Sequence, residues 1–119
     1  MSSASQRHKL ATRGYDSSGN VKGILRCFDN WGTDSDFAKV VVEGRWDGGT
    51  TGTVVTDIGG GDVTSNYTPG GAEDAVAAAA GLAAVINGQT DHTATSVENV
   101  VLITKTTAGT VEVVSSSIA

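Results

Sequence analysis

A run of small apolar residues, Ala75–Ile86, constrains the fold more than any other part of this sequence. Alanine has the highest intrinsic helix propensity, and Gly81 costs up to about 1 kcal/mol relative to alanine. Glu73 and Asp74 precede the run, where the positive end of a helix dipole favours acidic side chains. We therefore predict one alanine-rich helix over about residues 72–87, with a close backbone contact that explains the glycine.

Five apolar residues of this helix recur mostly at steps of three and four, which places them on one face. The residues of this predicted face are Val76, Ala79, Leu82, Ala83 and Ile86. Small side chains allow a helix to lie close to a sheet, so we expect this face to pack into the core and not to bind a ligand. Gly88 is expected to occupy the position just after the helix.

Short runs rich in valine and threonine, separated by glycine-containing turns, make up most of the remaining chain. Valine and threonine fit a pleated sheet, and glycine permits the positive φ of tight turns. The predicted strands are 21–28, 37–43, 53–58, 63–67, 92–97, 100–105 and 110–114. We expect the first two to pair with each other and the last three to form an antiparallel meander, with 100–105 in a central position. The tail, 115–119, is expected to be exposed or to pair with a neighbouring molecule.

The size and composition of the chain indicate one domain with a thin core. The chain has 119 residues, and its hydrophobic share of 39% is mostly alanine and valine, with two Trp, two Tyr and two Phe. We predict a mainly β, α+β fold: a single antiparallel sheet or sandwich-like domain over residues 21–119. An extended basic arm is predicted over residues 1–20.

Charge is distributed unevenly between this arm and the rest of the chain. The first 13 residues contain Arg7, Lys9 and Arg13 and no acidic residue, whereas the remainder contains five basic and all 13 acidic residues. One interpretation is a solvated terminus. The other is an arm that becomes ordered on an acidic neighbour, with an attraction that weakens as salt rises. In the second case, deleting residues 1–13 would weaken assembly without unfolding the body.

Several classes of function have no support in the sequence. No stretch approaches the ~20 apolar residues that span a bilayer, and no apolar segment of a secretory signal follows the basic residues, so we expect no membrane insertion and an origin in a cytoplasm. The acidic body disfavours nucleic-acid binding, which only the arm could support. No glycine-rich loop leads into Lys-Ser or Lys-Thr, so nucleotide binding is not expected.

The sequence also offers no recognisable catalytic arrangement. The available bases, His8 and His92, lie in no triad signature, and we expect His92 to be a strand-edge residue. Asp29, Asp34 and Asp36 resemble part of a calcium loop but lack the central glycine and terminal glutamate of an EF-hand, so a solvated polar loop is expected. We therefore predict no catalytic residue, no metal site and no cofactor.

Cys27 is the single cysteine of the chain, so it cannot form an internal disulfide. Free cysteines are among the most buried residue types, and we expect Cys27 to be a small buried hydrophobe in a strand. An intermolecular disulfide is the alternative, and it would need an oxidising environment.

Two tryptophans, Trp31 and Trp46, lie near predicted loops. A tryptophan there can fill a small core, stack on a sugar or anchor an interface. Together with the basic residues of the arm, they complete a set of candidate interface residues. This set is Arg7, Lys9, Arg13, Trp31 and Trp46.

Three segments in the second half of the chain resemble a module that recurs in virion proteins of tailed bacteriophages. They are the alanine-rich segment 75–87, which ends in Ile-Asn, the Thr-Ala-Thr-Ser strand 93–96, and the hairpin 99–110, which ends in Lys-Thr-Thr-Ala-Gly-Thr. The resemblance covers about residues 63–114, and residues 1–62 depart from the module.

The resemblance implies a structural virion protein, assembled in the host cytoplasm, with no catalytic residues to transfer. It implies a capsid decoration (cement) subunit that forms a cyclic oligomer, such as a trimer, on the major capsid protein or another virion protein. A neck, tail or fibre component stays open. A carbohydrate-binding adhesive module that uses Trp31 or Trp46 and a small hydrolase that uses Asp29, Asp34 and Asp36 are the alternatives from other classes.

Overall fold

Two antiparallel sheets and one helix make up the computed structural model of the protein, which describes residues 7–29 and 37–119. In chain order the elements are β1 (Arg7–Tyr15), β2 (Val21–Asp29), β3 (Ala38–Glu43), β4 (Gly52–Asp57), β5 (Asp62–Tyr67), α1 (Ala75–Asn87), β6 (His92–Val97), β7 (Val100–Lys105) and β8 (Glu112–Ile118). The five-stranded sheet has the order β1-β2-β3-β7-β6, and the three-stranded sheet has the order β5-β4-β8. The prediction of a mainly β, α+β fold with one helix is confirmed.

Alternate side chains of the strands point into the space between the two layers. In β2 and β3 the buried positions follow every second residue, as in Leu25 and Cys27, with Val40 opposite Cys27. The predicted pairing of these two strands is thus confirmed. β7 lies between β3 and β6, in the central position that its continuous apolar run indicated.

The helix packs against β6 and β7, and also against β5 and β3. It begins three residues later than predicted because Asp74 has an extended backbone and acts as the N-cap, accepting a hydrogen bond from the Ala77 amide at 2.9 Å. Gly88 follows the helix as predicted, but its φ of −79° is right-handed, so this position does not require a glycine.

The buried face of the helix differs from the predicted one at a single position. The buried residues are Ala78, Ala79, Leu82, Ala83 and Ile86. Val76 is 48% exposed, and Ala78 takes its place in the core. The interior is therefore lined by alanine on the helix side, as predicted.

Both ends of the chain contribute more to the sheets than we predicted. Of the predicted arm, residues 1–6 lie outside the described residues, and Arg7–Tyr15 form the edge strand of the five-stranded sheet, with Leu10 opposite Cys27 in β2. The tail also forms a strand within the same molecule, since Ser117 pairs with Thr53 in β4. The meander therefore ends at β7, and β8 crosses to the other sheet because Val111 and Val113 are buried between the layers.

The indole of Trp46 is the largest side chain of the core, and it fills the space between the two sheets. Gly23 of β2 and Gly52 of β4 both face it: a Cβ would approach the ring to 3.0 Å at Gly23 and to 2.7 Å at Gly52. Its Nε1 donates a hydrogen bond to the Glu43 carbonyl at 3.1 Å. Its backbone also forms a β-bridge with Glu73, just before the helix.

The close backbone contact that we predicted at Gly81 is present, because the Tyr67 ring lies directly against this glycine. A Cβ at Gly81 would overlap the ring. The Tyr67 hydroxyl donates a hydrogen bond to Glu73 Oε1 at 2.6 Å. Burial, together with this bond to a carboxylate, raises the pKa of Tyr67 to about 12. The ring is thus fixed at both ends, and a side chain at position 81 has no room.

Gly81→Ala is expected to destabilise the protein by about 1–3 kcal/mol through overpacking against Tyr67, although alanine alone would stabilise a helix by about 1 kcal/mol. Urea unfolding of the two proteins measures the difference. Gly60→Ala is a suitable control, since no atom lies within 4 Å of a Cβ at that position. An unchanged or raised midpoint for Gly81→Ala would contradict this packing.

Candidate assembly surface

The outward side of α1 is apolar, which is unusual for a surface helix. No polar side chain occurs from Ala75 to Ile86, and four residues there are exposed: Val76, Ala77, Ala80 and Ala84. Helices at a protein surface normally carry charged residues on the solvent side, whereas a helix that is apolar all round is typical of a buried position. We call these four residues the helix face.

A second apolar surface lies on the outer side of the five-stranded sheet. The strand register places its residues in rows; one row joins Phe28, Lys39, Leu102 and Thr95, and the next joins Arg26, Val41, Val100 and Val97. Val97 is 64% exposed and Leu102 is 36% exposed. We call these two rows the sheet face.

Charged groups on the sheet face are paired within the molecule. Arg26 Nε lies 3.0 Å from Glu43 Oε1, and Lys39 Nζ lies 4.6 Å from the centroid of the Phe28 ring. Such contacts keep the charges close to the sheet and leave the apolar side chains accessible between them. Because the helix packs on the inner side of this sheet, the helix face and the sheet face lie on opposite layers of the molecule.

The structure distributes the predicted interface residues among very different environments. Arg13 is exposed on β1, opposite Ile24 of β2. Arg7 lies in β1, but its side chain is outside what the structure describes, as are the whole of Trp31, Asp34 and Asp36. The interface roles of Arg7 and Trp31, and the roles considered for Asp34 and Asp36, therefore stay predictions.

The prediction that Trp46 is an interface residue is wrong, because this residue is 1% exposed and fills the core. Its ring meets the backbones of both sheets, so it cannot stack on a sugar or contact another molecule. Core packing, the other role considered for this residue, is the one that the structure shows.

The prediction that Lys9 is an interface residue is also wrong, because its amine is directed into the protein and not towards solvent. Its Nζ lies 3.1 Å from Asp29 Oδ2 and 2.9 Å from Glu112 Oε2, and the Asp29 side chain is fully buried. The Val113 amide donates a further hydrogen bond to Asp29 Oδ2 at 3.0 Å. We call Lys9, Asp29 and Glu112 the buried charge cluster, and it joins β1, β2 and the start of β8.

The cluster balances two opposing effects on its lysine. Burial lowers the pKa of Lys9, but the hydrogen bonds to Glu112 and Asp29 and their negative charges raise it, and the net effect is a raised pKa. The ammonium form is therefore stabilised. Deleting residues 1–13 would remove Lys9 and leave Asp29 buried without its cation, so this deletion is now expected to destabilise the body.

Sequence reasoning placed Asp29 in a polar loop, although one signal indicated otherwise. Leu25, Cys27 and Asp29 occupy alternate positions of one run, and alternate positions of a strand share a face. The parity of β2 therefore directs Asp29 inward. The alternation of β1 does not identify Lys9 as an inward-facing residue. A register shift between His8 and Leu10 interrupts the alternation of inward and outward side chains at that point.

Of the two histidines considered as bases, His8 has its side chain outside the described residues, and His92 is enclosed. His92 begins β6 and is 3% exposed; its Nδ1 lies 2.9 Å from the Thr90 carbonyl, and its Nε2 lies 2.8 Å from Thr56 Oγ1. Because a carbonyl only accepts, Nδ1 is the donor and Nε2 can accept from Thr56. Thr56 is fully buried, so this pair lies in the interior of the protein.

No family model, curated protein or solved structure matches this chain. In the part of the chain that the structure describes, no helix is long and apolar enough to cross a membrane. Within residues 7–29 and 37–119, no three His, Cys, Asp or Glu side chains are grouped so that they could hold a metal ion. The features that bear on function are therefore the two apolar faces and the buried charge cluster.

Cys27 is fully buried, as predicted, and burial raises the pKa of its thiol to about 11. We expect the folded protein to resist a thiol reagent at pH 8, since neither access nor thiolate is available, and to react rapidly in urea. Mass spectrometry after timed labelling measures both rates. Rapid labelling without denaturant, or a dimer that disappears on reduction, would contradict the buried position.

Proposed function

We propose that this chain is a structural virion protein, a capsid decoration subunit that stabilises a phage head and has no catalytic activity. The observation that carries the proposal is the helix face, a helical surface exposed to solvent without a single polar side chain. Resemblance of residues 63–114 to a module of tailed-phage virion proteins supports the same class of protein.

The helix face favours contact with another protein chain on physical grounds. Removing apolar surface from water stabilises a complex by about 25 cal/mol per Å². The side chains involved are alanine and valine, which have little conformational entropy to lose and allow two backbones to approach closely. The isolated chain gains nothing from leaving this surface uncovered, so the helix face is suited to a permanent contact.

The two apolar faces allow a head-to-tail contact between copies of the chain. A contact between unlike surfaces of identical subunits is head-to-tail, and it gives a closed ring when the rotation per subunit closes. The helix face and the sheet face differ in shape and lie on opposite layers, so the helix face of one copy can meet the sheet face of the next. Together with the resemblance, which implies a cyclic oligomer, this contact supports a cyclic homo-oligomer that adds contact area where shell subunits meet.

Among the alternatives, a neck, tail or fibre component would use the same two faces. For the carbohydrate-binding alternative, Trp46 is no longer a candidate because it is buried, and Trp31 lies outside the described residues. In the hydrolase alternative, Asp29 is engaged by Lys9 and the Val113 amide. No described contact favours either of these two functions.

Ala80→Glu is expected to reduce the mass of the assembly to the 12.0 kDa of one chain, because it places a charge on the helix face. Light scattering after size exclusion measures the mass, and circular dichroism checks that the fold is retained. Ala108→Glu is the matched control, the same change at an exposed alanine outside both faces. A wild-type protein that is monomeric alone and also fails to bind phage heads would contradict the proposal.

Head-to-tail contact can be separated from contact between like faces by mixing two variants. Leu102→Glu disrupts the sheet face and leaves the helix face intact, while Ala80→Glu does the opposite. Each variant alone is expected to be monomeric, and the mixture is expected to form a dimer through the two intact faces. A mixture that stays monomeric would rule out the ring geometry.

A further inference from the structure

The buried charge cluster holds a primary amine against a carboxyl group that water does not reach. Lys9 Nζ lies 3.1 Å from Asp29 Oδ2, and the Asp29 side chain has no exposed surface. From this geometry we propose that the cluster is a modification site, at which Lys9 and Asp29 condense to an intramolecular amide with Glu112 as the catalytic acid and base. The inference does not depend on the proposed virion role.

The two reacting groups are held together by the sheet. β1 and β2 are neighbouring antiparallel strands, and the register shift next to Lys9 turns its side chain towards the inner side, where Asp29 lies. An intramolecular pair that is held in this way has an effective concentration of up to about 10⁵–10⁸ M. Fixed proximity of this order is what an amine and a carboxylate lack when they are free in water.

The buried environment of Asp29 favours condensation with Lys9 more than a solvent-exposed environment would. Condensation releases a water molecule, so it is favoured where water is excluded, and the fully buried carboxyl group meets that condition. The Val113 amide donates to Asp29 Oδ2 at 3.0 Å, which is the position of an oxyanion donor for the tetrahedral intermediate. The same oxygen would be kept as the carbonyl oxygen of the amide.

Glu112 supplies the proton transfers that the reaction needs. Its Oε2 lies 2.9 Å from Lys9 Nζ, and its side chain is 46% exposed, so it can exchange protons with solvent. An ammonium cannot attack a carboxyl carbon until it has lost a proton, and a carboxylate at hydrogen-bond distance can accept that proton. The raised pKa of Lys9 means that its amine is an ammonium before this transfer.

The step balances without any further reactant. The Nζ–Cγ bond forms and one Cγ–O bond of Asp29 breaks. Of the three ammonium protons, one stays on the amide nitrogen, and two leave with the departing oxygen as water, passed on through Glu112. The net change is the loss of one water molecule and of one positive and one negative charge, and Glu112 is regenerated.

A lysine distinguishes this cluster from the other ion pairs in the described residues, which are formed by Arg26 and Arg45. A guanidinium does not lose its proton in proteins and is a poor nucleophile, whereas a lysine amine can be deprotonated. The arginine pairs are also partly exposed. The cluster therefore combines an amine that can become a nucleophile with a carboxyl group that is fully buried.

The mass of the denatured, full-length protein tests the proposal. After prolonged incubation of the folded protein, we expect an intact mass lower than the sequence mass by one water molecule. Proteolysis should then give a branched peptide that joins β1 to β2, and trypsin should not cleave after Lys9. An unchanged intact mass would overturn the proposal and leave the cluster as an ion pair only.

Variants locate the bond and assign the roles. Lys9→Arg keeps the positive charge but is expected to show no mass loss, whereas the matched control Lys22→Arg, on the neighbouring strand, is expected to lose one water molecule like the wild type. Glu112→Gln is expected to slow the appearance of the lighter species at least tenfold. Mass loss that persists in Lys9→Arg, or at an unchanged rate in Glu112→Gln, would contradict the assignment.

Discussion

The indole of Trp46 holds the two sheets at their observed separation, and the rest of the fold is arranged around it. Glycines at positions 23 and 52 bring the backbones of β2 and β4 against the ring, where any side chain would collide with it. The backbone bridge from Trp46 to Glu73 then fixes the chain immediately before α1. One side chain thus sets both the thickness of the core and the place where the helix begins, in a protein that has few other large residues to do so.

Around this tryptophan, the core is built from small residues, and this has an effect outside the core. Alanines at positions 78, 79 and 83 let α1 lie close to β6 and β7. The same composition continues on the outer side of the helix, where Ala80 and Ala84 meet solvent. Such a helix is unusual at a protein surface, because it has no charged side chain on its solvent side. Assembly with other chains would bury the second side in the way that the sheet buries the first.

The sequence predicted the elements whose apolar pattern is strong, and missed those whose structure depends on distant partners. The valine runs of β3, β4 and β7 and the alanine run of α1 gave correct positions, because glycine-rich turns separate them clearly. β1 is rich in charged and polar residues, and the serines of β8 have weak strand preference; both are strands because β2 and β4 offer them hydrogen bonds. Local pattern carries no information about such pairings.

The candidate sites also divide into those that local pattern predicts and those that depend on distant residues. The core role of Cys27 could be read from its strand, and the enclosed position of Trp46 could not, since a tryptophan next to a loop is equally compatible with a surface. Lys9 was assigned to a basic arm because its neighbours are polar, but its environment is set by Asp29 and Glu112, which lie far away in the sequence. The faces of α1 and of the five-stranded sheet became visible only when register assigned each side chain to a side.

The pairing of β8 with β4 also determines the order in which the protein can form. β4 contributes one edge to β5 and the other to β8, and the residues of β8 that meet it are among the last in the sequence. During synthesis, the edge of β4 therefore stays open until β8 has left the ribosome, and contacts this distant in sequence form slowly. Until then the nascent chain exposes an unpaired strand edge that contains Val54 and Val55, and an open edge of this kind is a site of aggregation.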